Sequence, residues 1–221
     1  MDLSGKGTYD RAIAAVQHYL NLSGKMPSTK MTLSPENISY TKEAVINLIN
    51  LGYTDIFLNC IFEEGWEISH AKILYNQLKE LADYLVGNEL YNKISLSIFE
   101  ENNFKPMNEN DNTNWCGGVV DEHSGMAIDW QGKIFPCLRY MESSLNKKQK
   151  ALFVGTIQEG FYNTQEEKEN KDLLSNISRR SQSTDKCFYC PIAKGCAWCS
   201  GYCYECNGTP NCRTTFICIM H

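Results

Sequence analysis

Along the first hundred residues, apolar positions recur with a helical period, then as short runs, and the two patterns alternate. Ala12, Ile13, Val16, Tyr19 and Leu20 share one helical face, and Ser23-Gly24 closes that segment. A short stretch at 30–33 reads as a strand and stops at Ser34-Pro35. Residues 41–50 repeat the helical pattern through Ala44, Val45, Leu48 and Ile49, with Gly52 just past its end. Within 54–59, Ile56, Phe57 and Leu58 form a continuous apolar run, the pattern of a strand covered on both faces. Ser69 is placed to cap a long third helix with a core stripe of Ile73, Leu74, Gln77, Leu78, Leu81 and Leu85. A strand at 94–99 follows. Helix and strand alternating in this way predict α/β units on a parallel sheet. Three units are too few to close an eight-unit barrel, and the series opens on a helix with no strand before it. The expectation is an α/β fold built as an incomplete (β/α) barrel that lacks its N-terminal part.

The pattern changes at 100–114, a polar stretch rich in asparagine that contains Pro106 and reads as a linker or long loop. We therefore expect two domains, 1–105 and 106–221. In the second, 126–129 and 133–135 flank Trp130-Gln131-Gly132, a β-hairpin signal. A short strand is expected at 152–157 and a charged surface helix at 164–180.

Cysteine changes the picture most. The chain has 11, and eight of them fall within 187–218: Cys187, Cys190, Cys196, Cys199, Cys203, Cys206, Cys212 and Cys218. Cys116 and Cys137 flank the hairpin, and Cys60 stands apart as a small buried core residue. An odd count cannot pair completely within one chain. The start of the chain is polar, with no apolar leader, which points to the cytoplasm, where thiols stay reduced. Metal is then the better use. Thiolates at Cys-x2-Cys spacing converge on one ion or cluster because a short turn aims both sulfurs the same way. Spacing alone does not separate zinc from iron–sulfur. The net charge of −5 argues against a nucleic-acid surface, and no apolar run is long enough to span a membrane.

Cys116, fifteen residues, Gly132, four residues and Cys137, followed by Cys187-x2-Cys190-x5-Cys196-x2-Cys199 and Cys218, resembles the signature of the SPASM domain. That domain is the C-terminal extension of many radical S-adenosylmethionine (AdoMet) enzymes, particularly peptide maturases. The strand segment Gly155-Thr156-Ile157 is similar to one in such domains, and 5–10 and 30–37 are similar to segments of their partial barrels. The resemblance covers nearly the whole chain. It implies two auxiliary [4Fe–4S] clusters, one held by Cys187, Cys190, Cys196 and Cys218. The other would be held by Cys116, Cys137 and Cys199 with a fourth ligand or an open site. Two features depart from the signature. Its commonest form has three residues, not two, between the positions of Cys196 and Cys199. Cys203, Cys206 and Cys212 are additional, and could complete the open site, replace Cys199 or stay free.

Cys199-x3-Cys203-x2-Cys206 has the spacing of the radical AdoMet catalytic motif, in which three thiolates leave one iron open for AdoMet. It lies inside the auxiliary region and has Glu205 where an aromatic residue is usual, so it reads as a decoy. AdoMet and a third [4Fe–4S] cluster are expected only in a complete enzyme, with a second chain as one source of the missing barrel half. The partner expected for such an enzyme is a ribosomally made peptide or protein. A different class of function is a zinc-binding, non-enzymatic adaptor or peptide-binding module. Lys30, Asn37, Asn59 and Glu63 lie at strand ends, where α/β sheets place ligand sites, but such residues are more often loop hydrogen bonders. His18, His70, His123 and His221 show no ligand spacing. Trp115, Trp130 and Trp198 adjoin cysteines and read as shields against water. Glu100-Glu101 and Glu166-Glu167 read as solvated charge.

Overall fold

The computed structural model describes residues 5–111, 125–175 and 177–221. They divide into two units, one comprising Met1–Ile61 with Glu67–Glu100, the other Phe62–Trp66 with Glu101–His221.

In the first unit, helix α1 (Tyr9–Ser23) ends at Gly24, whose φ of 68° lets its N–H return to the Leu20 carbonyl. Strand β1 (Thr29–Leu33), helix α2 (Thr41–Asn50), strand β2 (Asp55–Cys60), helix α3 (Ile68–Gly87) and strand β3 (Ser95–Leu96) follow. The sheet is parallel, in the order β1-β2-β3, with Leu33 opposite Cys60 and Ile56 opposite Leu96. Val45, Tyr53, Ile56, Leu58, Leu81, Leu85 and Leu96 form its core.

Three details differ from the sequence expectation. Along β2, Ile56, Leu58 and Cys60 are buried while Phe57 is 44% exposed, so burial alternates instead of covering both faces. Lys30 Nζ lies 5.6 Å from the Phe57 ring centroid and partly covers it. The third strand is only two residues long. Ser97 Oγ accepts the Leu58 N–H at 2.9 Å and donates to the Leu58 carbonyl at 3.3 Å, so a side chain takes the place of the strand ladder. Helix α3 starts two residues earlier than expected. Its N-cap is Glu67, whose N–H is accepted by His70 Nδ1 at 3.0 Å, and Ser69 lies within the first turn. Leu74, Leu81 and Leu85 carry the buried face, and Ile73 is exposed.

The second unit has an antiparallel sheet of four short strands in chain order: β4 (Ala127–Ile128), β5 (Lys133–Phe135), β6 (Gly155–Thr156) and β7 (Gly160–Phe161). The β4–β5 turn is held by Asp129 Oδ1, which accepts from the N–H groups of Gln131 and Lys133 at 2.9 Å each. Gly132 supplies the positive φ, 80°. Strand β6 is shorter than expected, and Leu152 and Val154 before it enter the core beside Ile134, Phe135, Tyr140, Leu145 and Leu174.

Within the described part of the stretch expected as a linker, 103–107 are anchored. Met107 is buried with Phe188 and Ala193, and its N–H donates to the Phe188 carbonyl. The carbonyls of Asn103 and Lys105 accept from Gly195 and Lys194 at 3.0 Å each. The expected helix at 164–180 is divided into α4 (Gln165–Ser175) and α5 (Arg179–Gln182), the latter capped by the Ser178 hydroxyl. Glu167, expected in solvent, is 1% exposed. Its Oε2 accepts from the Asn163 and Thr164 N–H groups, placing a carboxylate at the positive end of α4. Helices α6 (Asp185–Phe188) and α7 (Ser200–Asn207) carry the cysteine-rich segment. Mixed α/β architecture is thus established. Among the described residues, no helix is long and apolar enough to cross a membrane.

Candidate metal centre

The cysteine segment is a series of tight turns pinned by backbone hydrogen bonds. Thr184 caps α6 by accepting from the Cys187 N–H. The Cys187 carbonyl accepts from Cys190 N–H, the Cys190 carbonyl from Ala193, and the Ile192 carbonyl from Cys196. Cys196 and Cys199 are buried, at 8% and 7% exposed, whereas Cys187 and Cys190 are half-buried and Cys218 is exposed. All ten described cysteines carry free thiols.

Two groups of sulfurs emerge. Burial pushes the Cys196 thiol up, and charge on Cys218 or Cys190 would push it further, so both lie within electrostatic reach of Cys196. The Arg213 guanidinium opposes this, donating to Cys196 Sγ at 2.7 Å. Burial also raises the Cys199 thiol, and charge on Cys137 would add to it. The Tyr202 and Gly201 N–H groups and the Arg139 cation pull the other way, since Cys199 caps the N-terminus of α7. Cys199 is also within electrostatic reach of Cys203, on the next turn of α7. Cys187 lies one turn before Cys190, and Cys116 lies outside the described residues. Among the described residues, no three His, Cys, Asp or Glu side chains converge as a site for a single metal ion.

Arg139 follows Cys137 in a 3₁₀ turn, Leu138–Tyr140, and pairs with Glu63 at 2.6 Å. Gly201 permits that turn to approach α7: a Cβ there would lie 2.5 Å from Arg139 Cβ. Gly195 plays the same part before Cys196, where a Cβ would meet Asn103 Cβ at 2.5 Å. Arg179 is 5% exposed and donates to the carbonyls of Ala193, Lys194 and Cys196. Arg179, Arg213, Gly195 and Gly201 were not singled out from the sequence. Arginines and glycines between cysteines carry no signal until the turns are known.

The additional cysteines have separate environments. Cys203 is fully buried within α7, and its Sγ accepts the Thr214 N–H at 3.4 Å. Burial raises its thiol, partly offset by Thr214. Burial raises the Tyr202 phenol, and the neighbouring Cys206 thiol raises it further. Cys212 is exposed. The Cys199-x3-Cys203-x2-Cys206 spacing therefore lies on a helix and its cap.

Of the strand-end residues, Asn37 closes the turn after β1, accepting from Ser34 N–H and donating to the Thr32 carbonyl. Asn59 donates to the Cys60 carbonyl, Lys30 covers Phe57, and Glu63 holds Arg139. Cys60 is 7% exposed. Trp198, 4% exposed, is enclosed, whereas Trp130 is 91% exposed. Trp115 and His123 lie outside the described residues. No family model matches the chain, and no curated protein matches it.

The donor set was tested against the group the resemblance implies. An iron–sulfur cluster is held by thiolates at its corners and is favoured by hydrogen bonds to the sulfurs. Cys196 and Cys199 are buried with an arginine near each, whereas Cys137, Cys187 and Cys190 are half-buried and Cys218 is exposed.

Proposed function

We propose that the chain is the auxiliary-cluster portion of a radical AdoMet peptide maturase: an incomplete (β/α) barrel followed by a SPASM-like domain. The observation that carries this is the divergence of two neighbours in sequence. Cys190 and Cys218 lie within electrostatic reach of Cys196, while Cys137 and Cys203 lie within reach of Cys199. A ligand from the late segment returning to the hairpin is what two interlocked sites require. In this reading Cys187, Cys190, Cys196 and Cys218 hold one [4Fe–4S] cluster, and Cys116, Cys137 and Cys199 hold the other. When bound, the clusters supply one-electron acceptors for a radical formed on the peptide. The protein's part is to exclude water with Trp198 and the core around Tyr140, and to aim the thiolates through the turns at 187–196. Metal binding also contributes folding free energy, which a short-stranded, loop-rich unit needs.

The only Cys-x3-Cys-x2-Cys in the sequence is on α7, and its middle sulfur is engaged with Thr214. AdoMet cleavage is therefore assigned to a site outside these residues, in a complete enzyme or a second chain. The test is metal and sulfide content after anaerobic reconstitution. Iron with equimolar acid-labile sulfide and broad visible absorbance is expected. A colourless chain with stoichiometric zinc and no sulfide would contradict the proposal and leave a structural zinc module.

A further inference from the structure

The first unit carries a groove of about 280 Å³ between the last turns of α3 and strand β3. Leu85, Val86, Tyr91, Leu96, Phe99 and Glu100 are among the residues that line it. Leu85 and Leu96 are buried, whereas Val86, Tyr91 and Phe99 are 62%, 59% and 39% exposed. Large apolar side chains gathered in water around one groove mark a contact surface, where single scattered ones would not. Glu100 is the only acidic or basic residue among the described residues of the lining.

The main chain adds a direction. The Ser95 N–H donates to the Thr54 carbonyl at 2.7 Å, and Leu96 lies opposite Ile56. Alternate residues of a parallel strand turn their N–H and C=O groups to opposite neighbours. Ser95 therefore faces β2, and Leu96 presents its donor and acceptor to the other edge, along the groove. Among the described residues, no strand pairs with that edge.

These features select the occupant. A small apolar molecule leaves the Leu96 main chain unmet. A helix keeps its own main-chain groups bonded internally. An anionic partner meets Glu100 with like charge. An extended peptide satisfies all three features. Its main chain bonds to Leu96, and its alternate side chains share one face, so an apolar residue enters the groove while a basic one reaches Glu100.

We propose that the β3 edge is a docking site for an extended peptide of another chain, carrying a large apolar residue and a Lys or Arg on the same face. The site involves no cysteine and does not depend on the cluster reading. The test is fluorescence anisotropy of the full chain with the fluorescein-labelled peptide Thr-Val-Thr-Leu-Thr-Lys-Thr, and saturable binding is expected. The same peptide N-methylated at the leucine and at the threonine after it cannot donate there, and should bind about tenfold more weakly. Val86→Glu, which puts a carboxylate at an exposed wall of the groove, should weaken binding about tenfold. Glu100→Lys should reverse the preference between this peptide and one with glutamate in place of lysine, by about fivefold. Far-UV circular dichroism checks that each variant keeps the parent fold, and if Val86→Glu does not, Glu100→Lys decides. Absence of saturable binding overturns the inference, as does binding unchanged by N-methylation or by a folded Val86→Glu. Self-association of the chain that Val86→Glu abolishes, without peptide binding, also overturns it, since the groove would then hold a second copy.

Discussion

Burial decides what single thiols in this protein do. Cys60 is enclosed at the end of β2, and burial pushes its thiol from 9.0 up to about 12. The folded chain therefore keeps the Cys60 proton where the unfolded chain has begun to lose it. Its contribution to stability is complete below pH 9.0 and is lost as pH rises towards about 12. At about pH 8, we predict that iodoacetamide leaves Cys60 unlabelled in the native chain while modifying the exposed Cys212. Peptide mass spectrometry reads this directly, and equal labelling of the two would contradict it. A second residue-scale prediction concerns Gln182, buried and accepting from the Trp198 indole. Its amide also donates to the Pro210 carbonyl. Gln182→Leu leaves both buried partners unsatisfied, at about 1–3 kcal/mol each. Urea denaturation should show a clear loss of stability, and an unchanged midpoint would show that these groups find other partners.

At the scale of elements, close backbone approach is what joins the cysteine-bearing pieces. The turn after Cys137 meets α7 through Gly201, and the segment at 101–107 meets the loop before Cys196 through Gly195. Gly201→Ala puts a methyl group 2.5 Å from Arg139 Cβ. We predict a loss of about 1–3 kcal/mol from overpacking. Gly87→Ala is the control, since its Cβ would meet nothing within 4 Å. Thermal melts should place Gly201→Ala well below the parent and Gly87→Ala level with it or above.

These elements also show what the sequence made legible. The alternation of helix and strand in the first hundred residues could be read because a period of 3.6 and a short apolar run look different. The two-sided covering of β2 was misread because Phe57 is apolar yet exposed, and hydrophobicity alone does not say what lies opposite. The stretch 100–114 reads as a linker because the anchoring of its described part is through backbone carbonyls and a single methionine, which leave no periodic trace. Glu167 was assigned to solvent for a similar reason: a carboxylate capping its own helix resembles any other surface acid until the helix start is fixed.

For the whole molecule, the antiparallel unit carries the clustered thiols, arranged by turns and not by long elements. The resemblance implied two ligand sets, but spacing could not show Arg213 on the Cys196 sulfur or Cys203 enclosed with Thr214, because both depend on the chain folding back from 212–218. The central claim is that Cys196 and Cys199 serve different sites. The measurement that tests it most directly is iron and sulfide content after anaerobic reconstitution of the parent, Cys190→Ala and Cys137→Ala. The parent should hold about eight irons and eight sulfides per chain, and each variant about half, with a different paramagnetic signal surviving in each. Loss of all iron in both variants, or the same surviving signal in both, would mean a single shared site and would contradict the account.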